Sequence, residues 1–409
     1  MRQLYFALTL AGTALGACSD DPADSGYDIV IAPSANDHEA LQTAFIEAKS
    51  GDVIGLEPGT YRLTRELNLT GVADVTLRGM GATRDEVIID FAGQVEGDDG
   101  ITVTAPGFTI ENLWVKNSPG NGVVAHAEDS TFRNIKVSWD AGSVTENGFY
   151  AVYPTDCKRT LIEDVEVTGA SDAGIYVGSC EYAIVRNNKV YANVAGLEIE
   201  NTLHADVYDN EVYDNSAGIL ALLLPNLEIK ENRYILFRDN VVRDNNRANF
   251  ATAGTVVASV PGGVGILVLG GSDIEVRDNT ISGNGTSGVL VASYTTLALL
   301  TGKPNTDEEM NPYAKRVYIH GNTYTGNGAS PAGIFASLLP SITTFENVLW
   351  DGEIDPALES AEICLGTEAT TFRNLDVPGT FQNSTNTTTG HTCTLAALPE
   401  MQTFPAVAQ

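Results

Sequence analysis

Short apolar runs recur along most of this chain, and each spans only a few residues between Asn, Asp or Gly positions. Typical runs are Leu113-Trp-Val, Ile135-Lys-Val and Val165-Glu-Val. Runs of this length that are rich in β-branched and aromatic residues predict strands, because a helix needs a longer apolar pattern. The pattern therefore predicts an all-β fold made of many short strands.

A recurring Asn, replaced once by Asp, marks the period of this pattern. Its positions are Asn112, Asn134, Asp164, Asn188, Asn210, Asn240, Asn279, Asn322, Asn347 and Asn374. The shortest separation is 22 residues, and longer ones contain insertions. A period with variable insertions predicts a solenoid, in which Asn forms a tight turn and stacks on the same Asn of the next coil.

A second series, of glycines, runs in phase with the first, so each coil carries at least two strands. Its members are Gly100, Gly122, Gly148, Gly174, Gly196, Gly218, Gly265, Gly288 and Gly333. The segment Gly283–Gly288 matches the dinucleotide pattern GxGxxG, but it joins two predicted strands and opens no helix. We interpret it as turn chemistry.

The N-terminal part predicts a cap for the solenoid. Residues 38–49 place Leu41, Ala44 and Phe45 at helical intervals, and Gly51 to Tyr61 follow as a first coil. This arrangement resembles right-handed parallel β-helix proteins with the pectin-lyase-like fold, over about residues 28–375. It also resembles bacterial parallel β-helix repeat-containing proteins of the lipoprotein type. The resemblance implies a single right-handed parallel β-helix over residues 28–380 with a short N-terminal capping helix, and it implies no settled activity.

The first 17 residues carry one charge, Arg2, and a short apolar stretch, which predicts a signal peptide. Leu15-Gly-Ala-Cys18 looks like a lipobox, so Cys18 is the predicted lipidation site, followed by a polar tether over residues 18–27. We expect a lipid-anchored protein of the cell envelope, with ordinary secretion as the alternative. Ser19 after the Cys favours the outer membrane by analogy with enteric sorting, facing the periplasm or the cell surface.

The other four cysteines predict two disulfides in an oxidising compartment. Cys157 and Cys180 lie 7 and 8 residues before the rung positions 164 and 188, so they occupy nearly the same place on neighbouring coils. Coils stack about 4.8 Å apart, within disulfide range. Cys364 and Cys393 would then pin a C-terminal tail, residues 381–409, to the last coil.

The net charge of −30 argues against nucleic acid as a partner, because phosphate binding needs clustered Lys and Arg. Polyanionic polysaccharides are disfavoured too, unless a divalent cation or a local basic patch intervenes. The five His residues are scattered and predict no metal site. No motif indicates a cofactor.

Strand alternation places Glu198 and Glu200 on the outward face of one strand, about 6.6 Å apart by strand rise. Carboxylates at that spacing fall near the range of inverting glycoside hydrolysis, and a Tyr can act as an acid or base. Glu198, Glu200 and Tyr176 are therefore the candidate catalytic residues. The alternative is that they are ordinary residues of a solvated sheet.

Four further residues are candidates for substrate binding. Tyr150 and His126 precede the two glutamates on the same predicted face, where aromatic rings stack on sugars. Lys158 and Arg159 follow the strand of Tyr150 and would attract a uronate carboxylate. The alternative is a solvated basic pair.

The outward positions of the second half are apolar and include Leu220, Leu222, Leu267, Leu269 and Leu290. A leucine stripe of this length needs a cover on a soluble protein. The insertions at 221–233, 245–260 and 292–314 fall on the coils that carry the stripe, and we expect them to cover it.

These features lead to three functional hypotheses. The first is a protein that engages polysaccharide, as a lyase, epimerase or hydrolase. The second is a non-catalytic scaffold or accessory protein for an envelope partner. The third, a weaker one by fold analogy, is the delivery of a metal or cofactor. The sequence does not decide whether the protein is an enzyme.

Overall fold

The computed structural model describes residues 26–333, 337, 339–368 and 370–405. The predicted signal peptide and Cys18 lie outside the described residues. Helix α1 (Asp37–Glu47) begins and ends close to the predicted capping helix and buries Leu41 and Phe45. No helix in the described ranges is long and apolar enough to cross a membrane.

The chain forms a β-helix of three sheets, and neighbouring strands within each sheet pair in parallel. Sheet A has the spatial order β1 (Ile29–Ile31), β2 (Val53–Leu56), β5 (Thr76–Gly79), β8 (Thr109–Glu111), β11 (Thr131–Arg133), β14 (Lys158–Glu163), β17 (Glu181–Arg186), β20 (Leu203–Tyr208), β23 (Arg233–Arg238), β26 (Ser272–Arg277), β29 (Lys315–His320) and β32 (Ile363–Cys364). Sheet B consists of β3 (Gly59–Arg62), β6 (Val87–Asp90), β9 (Trp114–Lys116), β12 (Lys136–Ser138), β15 (Glu166–Thr168), β18 (Lys189–Tyr191), β21 (Glu211–Tyr213), β24 (Val241–Arg243), β27 (Thr280–Ser282) and β30 (Thr323–Thr325). Sheet C consists of β4 (Arg65–Leu69), β7 (Glu96–Val103), β10 (Val123–Ala125), β13 (Tyr150–Pro154), β16 (Ala173–Gly178), β19 (Ala195–Glu200), β22 (Ala217–Leu222), β25 (Val264–Leu269), β28 (Ser287–Ala292), β31 (Val348–Trp350) and β33 (Phe372–Asn374).

The core lies inside the coils and consists of stacked rows of aliphatic side chains. One inward row of sheet C is formed by Ile175, Leu197, Ile219, Ile266 and Val289, which pair from coil to coil and are fully buried. Each such side chain contributes roughly 1.5–3 kcal/mol through removal from water. The period-2 alternation of the sequence therefore specifies which face of each strand points inwards.

An asparagine ladder joins sheets A and B, as predicted, but it begins later in the chain. Side-chain amides link Asn188, Asn210, Asn240, Asn279 and Asn322 in succession, each donating to the next at 2.9 Å. All of these residues except Asn322 are buried, so losing one hydrogen-bond partner among them would cost about 1–3 kcal/mol. The ladder thus fastens the coils to one another at this corner.

Several positions of the predicted series do not belong to this ladder. The pairing of Glu163 with Arg186 aligns Asp164 with Asn187, one residue before the ladder. Asn112, Asn134 and Asp164 have left-handed backbone angles and form the corner itself. At the other end of the chain, Asn347 precedes β31 and Asn374 ends β33, so both lie at sheet C.

A second ladder, which the sequence pattern did not single out, joins sheets B and C. Asn193, Asn215, Asn245, Asn284 and Asn327 are linked amide to amide at 3.0–3.1 Å. The insertions before β25 and β31 begin after Asn245 and Asn327, so the amide links of both ladders are uninterrupted.

The sheet C register differs from the glycine series at two coils. Val152 pairs with the inward Ile175, so it points inwards and Tyr153 is the outward neighbour of Tyr176. After β28, the next strand of sheet C is β31 and not the segment after Gly333. In both coils, more residues separate the glycine (Gly148 or Gly333) from the inward positions of the sheet C strand (β13 or β31) than the sequence pattern suggested.

The leucine stripe on the outer face of sheet C is covered, as predicted. Leu267, Leu269 and Leu290 are buried in a second apolar cluster that lies outside the coils. Helix α2 (Tyr294–Thr301), in the third insertion, contributes Leu297 to this cluster. The insertion at 245–260 contributes Val257 and Val260, and the insertion at 221–233 contributes Leu224. Leu375 and Val377, which follow β33, also take part.

Both predicted disulfides are present. Cys157–Cys180 joins neighbouring coils with a Cα separation of 4.5 Å, and Cys364–Cys393 joins β32 to the tail with 4.9 Å. Beyond Cys393 the tail crosses the outer face of sheet A, where the backbone N–H of Met401 donates to Asp206 at 2.7 Å.

Candidate functional site

The outer face of sheet C carries two adjacent rows of side chains. In the first row Tyr176 pairs with Glu198, which pairs with Leu220. In the second row Gly178 pairs with Glu200, which pairs with Leu222. The two glutamates therefore lie between a tyrosine-rich half and a leucine-rich half of the same face.

Glu198 and Glu200 point outwards from the coil, as predicted, but they are not solvated. Glu198 is 3% and Glu200 is 7% exposed. Their neighbours Tyr176 and Leu220 belong to the apolar cluster over the outer face, and this cluster closes around the carboxyl groups. The interpretation of a solvated polar sheet is wrong for this pair.

The two carboxyl groups are hydrogen bonded to each other. Burial raises the pKa of Glu198 well above its usual range, and the charges of Glu200 and Asp172 raise it further. Burial also raises the pKa of Glu200. A hydrogen bond between two carboxyl groups requires a proton, and both shifts favour the protonated form. This contact is much shorter than the 6.6 Å strand spacing from which an inverting pair was predicted.

Asp172 is a third acidic member that the sequence did not single out. It is buried, and its pKa is raised to about 7 by burial and by the charge of Glu200, while a hydrogen bond with Tyr150 opposes the rise. It lies directly before β16, where Ala173 pairs with Tyr150, and this strand register could not be derived from the sequence spacing.

Tyr176 is held against Glu200 by the shape of the second row. Its hydroxyl donates to Glu200 Oε1 at 2.8 Å. The ring folds over Gly178, where a Cβ atom would lie only 2.2 Å from the hydroxyl oxygen. Only glycine therefore leaves room for this contact. Glu198 Oε2, by contrast, is buried without a hydrogen-bond partner.

Three tyrosines form a wall beside the carboxyl groups. The ring centroids of Tyr150, Tyr153 and Tyr176 are separated by 4.6–4.9 Å. Burial raises the pKa of all three hydroxyl groups. His126 lies at the outer end of the wall, 6.4 Å from Tyr153 and 43% exposed, with Nδ1 3.6 Å from Asp156. The site thus opens towards His126 and closes at Glu198.

Lys158 and Arg159 are not brought to this wall. Both belong to β14 of sheet A, where Lys158 pairs with Glu181 and Arg159 with Asp129. Within the part of the chain that the structure describes, no Lys or Arg forms an ion pair with the three buried carboxyl groups. Over the same ranges, no group of three or more His, Cys, Asp or Glu has the arrangement of a metal site.

The model of the right-handed β-helix region matches residues 99–235 and 142–305, which together span just over half of the chain. The chain belongs to the right-handed β-helix family. This assignment agrees with the three parallel sheets and with the resemblance to the pectin-lyase-like fold. None of the curated protein sequences matches the chain significantly.

Three solved structures are similar to this chain. The A-module of the mannuronan C-5 epimerase AlgE4 of Azotobacter vinelandii is 19% identical with a TM-score of 0.52, covering 77% of this chain and 86% of that one. The catalytic unit of a GH87 α-1,3-glucanase from Streptomyces thermodiastaticus is 18% identical with a TM-score of 0.49, covering 81% and 51%. An exopolygalacturonase from Thermotoga maritima is 14% identical with a TM-score of 0.42, covering 73% and 84%. At these identities the similarity concerns the fold.

Proposed function

We propose that this β-helix engages polysaccharide on the outer face of sheet C and acts on it through the glutamate pair. The observation that carries the proposal is the proton-sharing contact of Glu198 and Glu200, with Tyr176 donating to Glu200 at 2.8 Å. Buried carboxyl groups with a purely structural role are normally paired with a cation, and none of the described residues provides one for this pair. The names of the solved proteins of similar fold, an epimerase and two glycan hydrolases, support polysaccharide as the class of partner.

Two carboxyl groups that share one proton provide an acid and a base at the same place. The protonated carboxyl group of the pair holds the proton that a leaving oxygen needs, and the other can accept a proton from water. Hydrolysis of a glycosidic bond uses both roles. A lyase or epimerase would also need a cation beside the uronate carboxylate, and the described residues place none against this pair. Hydrolysis is therefore the reaction we propose, and it requires the two carboxyl groups to separate to roughly 5–9.5 Å when a sugar is bound.

The pair must become accessible for this chemistry. Glu198 is almost fully buried, while the wall at Tyr150 and Tyr153 is half-buried and leads to the exposed His126. We expect a glycan to enter from the His126 end and to displace part of the apolar cover over the glutamates.

The test is a double substitution, Glu198→Gln with Glu200→Gln, which keeps the shape and removes the shared proton. We expect release of new reducing ends from a polysaccharide panel to fall by at least about 100-fold. The matched control is Glu181→Gln on sheet A, which pairs with Lys158 away from the site. Full activity of the double variant would exclude the pair as the reacting groups.

A non-catalytic scaffold is the second candidate, and the burial of both glutamates favours it. In this version the glutamate pair only closes the covered face, and the insertions contact an envelope partner. This alternative would be supported if the wild type cleaved none of the glycans and the double variant bound glycans as well as the wild type does.

The lipid anchor is a separate proposal. We expect the mature protein to carry lipid on Cys18 and to partition with membranes. Cys18→Ser should abolish labelling by a fatty-acid probe, with Cys157→Ser as a control that keeps it. Labelling that persists in Cys18→Ser would exclude this residue as the anchor.

A further inference from the structure

The cluster of Asp172, Glu198 and Glu200 consists of three carboxyl groups that are buried without a compensating cation. In the described part of the chain, none of the three carboxyl groups is ion paired. A second observation indicates a ligand: Glu198 Oε2 is buried and has no hydrogen-bond partner, although the rest of the side chain is packed. A buried acceptor without a donor costs free energy, so a donor from a ligand would relieve it.

The approach to this cluster is acidic as well. Burial raises the pKa of Tyr153, and the negative charges of Glu200, Asp156 and Asp99 raise it further. The basic residues that follow on the chain, Lys158 and Arg159, are already paired with Glu181 and Asp129. A uronate carboxylate that entered along the tyrosine wall would therefore meet like charges and no cation.

A neutral sugar fits the same surface. Its hydroxyl groups would donate to Glu198 Oε2 and to Asp172, and its C–H faces would pack on the rings of Tyr150 and Tyr153. We propose that the site takes an uncharged polysaccharide with free hydroxyl groups and excludes polyuronates. This inference rests on the proposed function, since it concerns the substrate of the same site.

The experiment compares matched pairs of polymers that differ only in charge. Polygalacturonate and polymannuronate are tested beside their carboxyl-reduced, neutral forms, by affinity electrophoresis with and without EDTA and by reducing-end release. The protein is the full mature chain. We expect at least one neutral form to bind tenfold or more tightly than its charged parent, and Asp172→Asn to narrow this difference.

The outcomes separate the inference from the proposed function. Preference for a charged parent that is lost in Glu198→Gln with Glu200→Gln would overturn the inference and leave the site in place. Uronate binding that needs a divalent cation and disappears with EDTA would overturn it too, as would uronate binding that Lys158→Ala abolishes. No binding to any polymer would overturn both the inference and the proposed function.

Discussion

The two halves of the outer face of sheet C use the same two rows for opposite purposes. In the first half the rows contain Tyr153 and Tyr176 and lead from the exposed His126 to the glutamates. In the second half the rows contain Leu267, Leu269 and Leu290 under a cover of insertions.

The difference lies in what the coils add and not in the coils themselves. The inward row of Val152, Ile175, Leu197, Ile219, Ile266 and Val289 continues through both halves. The outward positions are therefore free to become either a site or a second core, depending on the insertions beside them. Glu198 and Glu200 lie between the tyrosine-rich and the leucine-rich half, and the apolar cover buries them.

The largest effect should come from removing the cover of the second half. Replacing residues 295–310 by a short Gly-Ser link removes Leu297 from above Leu267, Leu269 and Leu290. Each leucine that becomes exposed should cost roughly 1.5–3 kcal/mol. We expect the variant to bind a hydrophobic dye and to aggregate, as measured by fluorescence and size-exclusion chromatography.

The control for this deletion is Leu299→Ser, because Leu299 is exposed on the same helix. It should leave dye binding and elution unchanged. A deletion variant that stays monomeric and does not bind the dye would contradict the expectation. It would show that residues 295–310 are not what covers the leucine stripe.

A pH dependence should distinguish the first half from the second. The pKa of Asp172 is about 7 in the folded protein, whereas an aspartate in an unfolded chain has about 3.9. The raised pKa means that the folded state binds the proton of Asp172 more tightly than the unfolded state does. The stability that this proton contributes is fully present below about pH 4 and is lost as the pH rises through 7. The gap corresponds to at most roughly 4 kcal/mol.

We therefore expect Asp172→Asn to be nearly neutral below about pH 4, moderately stabilising at pH 5 and most stabilising at pH 8, as measured by urea unfolding. Asp140→Asn is the control with the opposite sign, because Lys116 and Asn117 lower the pKa of Asp140. Asp140 is exposed, so its small contribution should be lost on acidification instead. Parallel pH profiles of wild type and Asp172→Asn would show that this carboxyl group titrates normally.

The smallest of these effects concerns Gly178, which makes room for the ring of Tyr176. Gly178→Ala should displace the Tyr176 hydroxyl from Glu200 and cost about 1–3 kcal/mol. In a Tyr176→Ala background the same change should cost much less, and this coupling is measured by a double-mutant cycle. Gly93→Ala is the control, since its added Cβ meets only ordinary contact at 3.5 Å.

Equal cost of Gly178→Ala in both backgrounds would contradict this account of the ring. It would mean that the Tyr176–Glu200 hydrogen bond does not depend on a glycine at position 178.

Much of the fold could be predicted from the sequence, because a solenoid repeats a local pattern. The capping helix, the strand periodicity and the pairing of Cys157 with Cys180 follow from spacing along the chain. The same reasoning placed Asn112 and Asn188 in one series, although the strand register separates them by one residue. A one-residue shift leaves the sequence spacing almost unchanged but changes which residue turns the corner.

The site was predicted less completely. Strand alternation correctly placed Tyr176, Glu198 and Glu200 on one outward face. It could not reveal their burial, because the covering residues come from insertions distant in sequence. It also missed Asp172 and Tyr153, whose positions depend on how β13 aligns with β16.

The sequence by itself determined the coil, since alternation and turn residues act within a few positions and each coil repeats the last. Only the tertiary structure decided the environment of the carboxyl groups. The pKa of Asp172, the proton shared by Glu198 and Glu200, and the unpartnered oxygen of Glu198 all result from the apolar cover that packs over them. Burial and charge at a site are set by everything that surrounds it, and a local pattern does not contain that information.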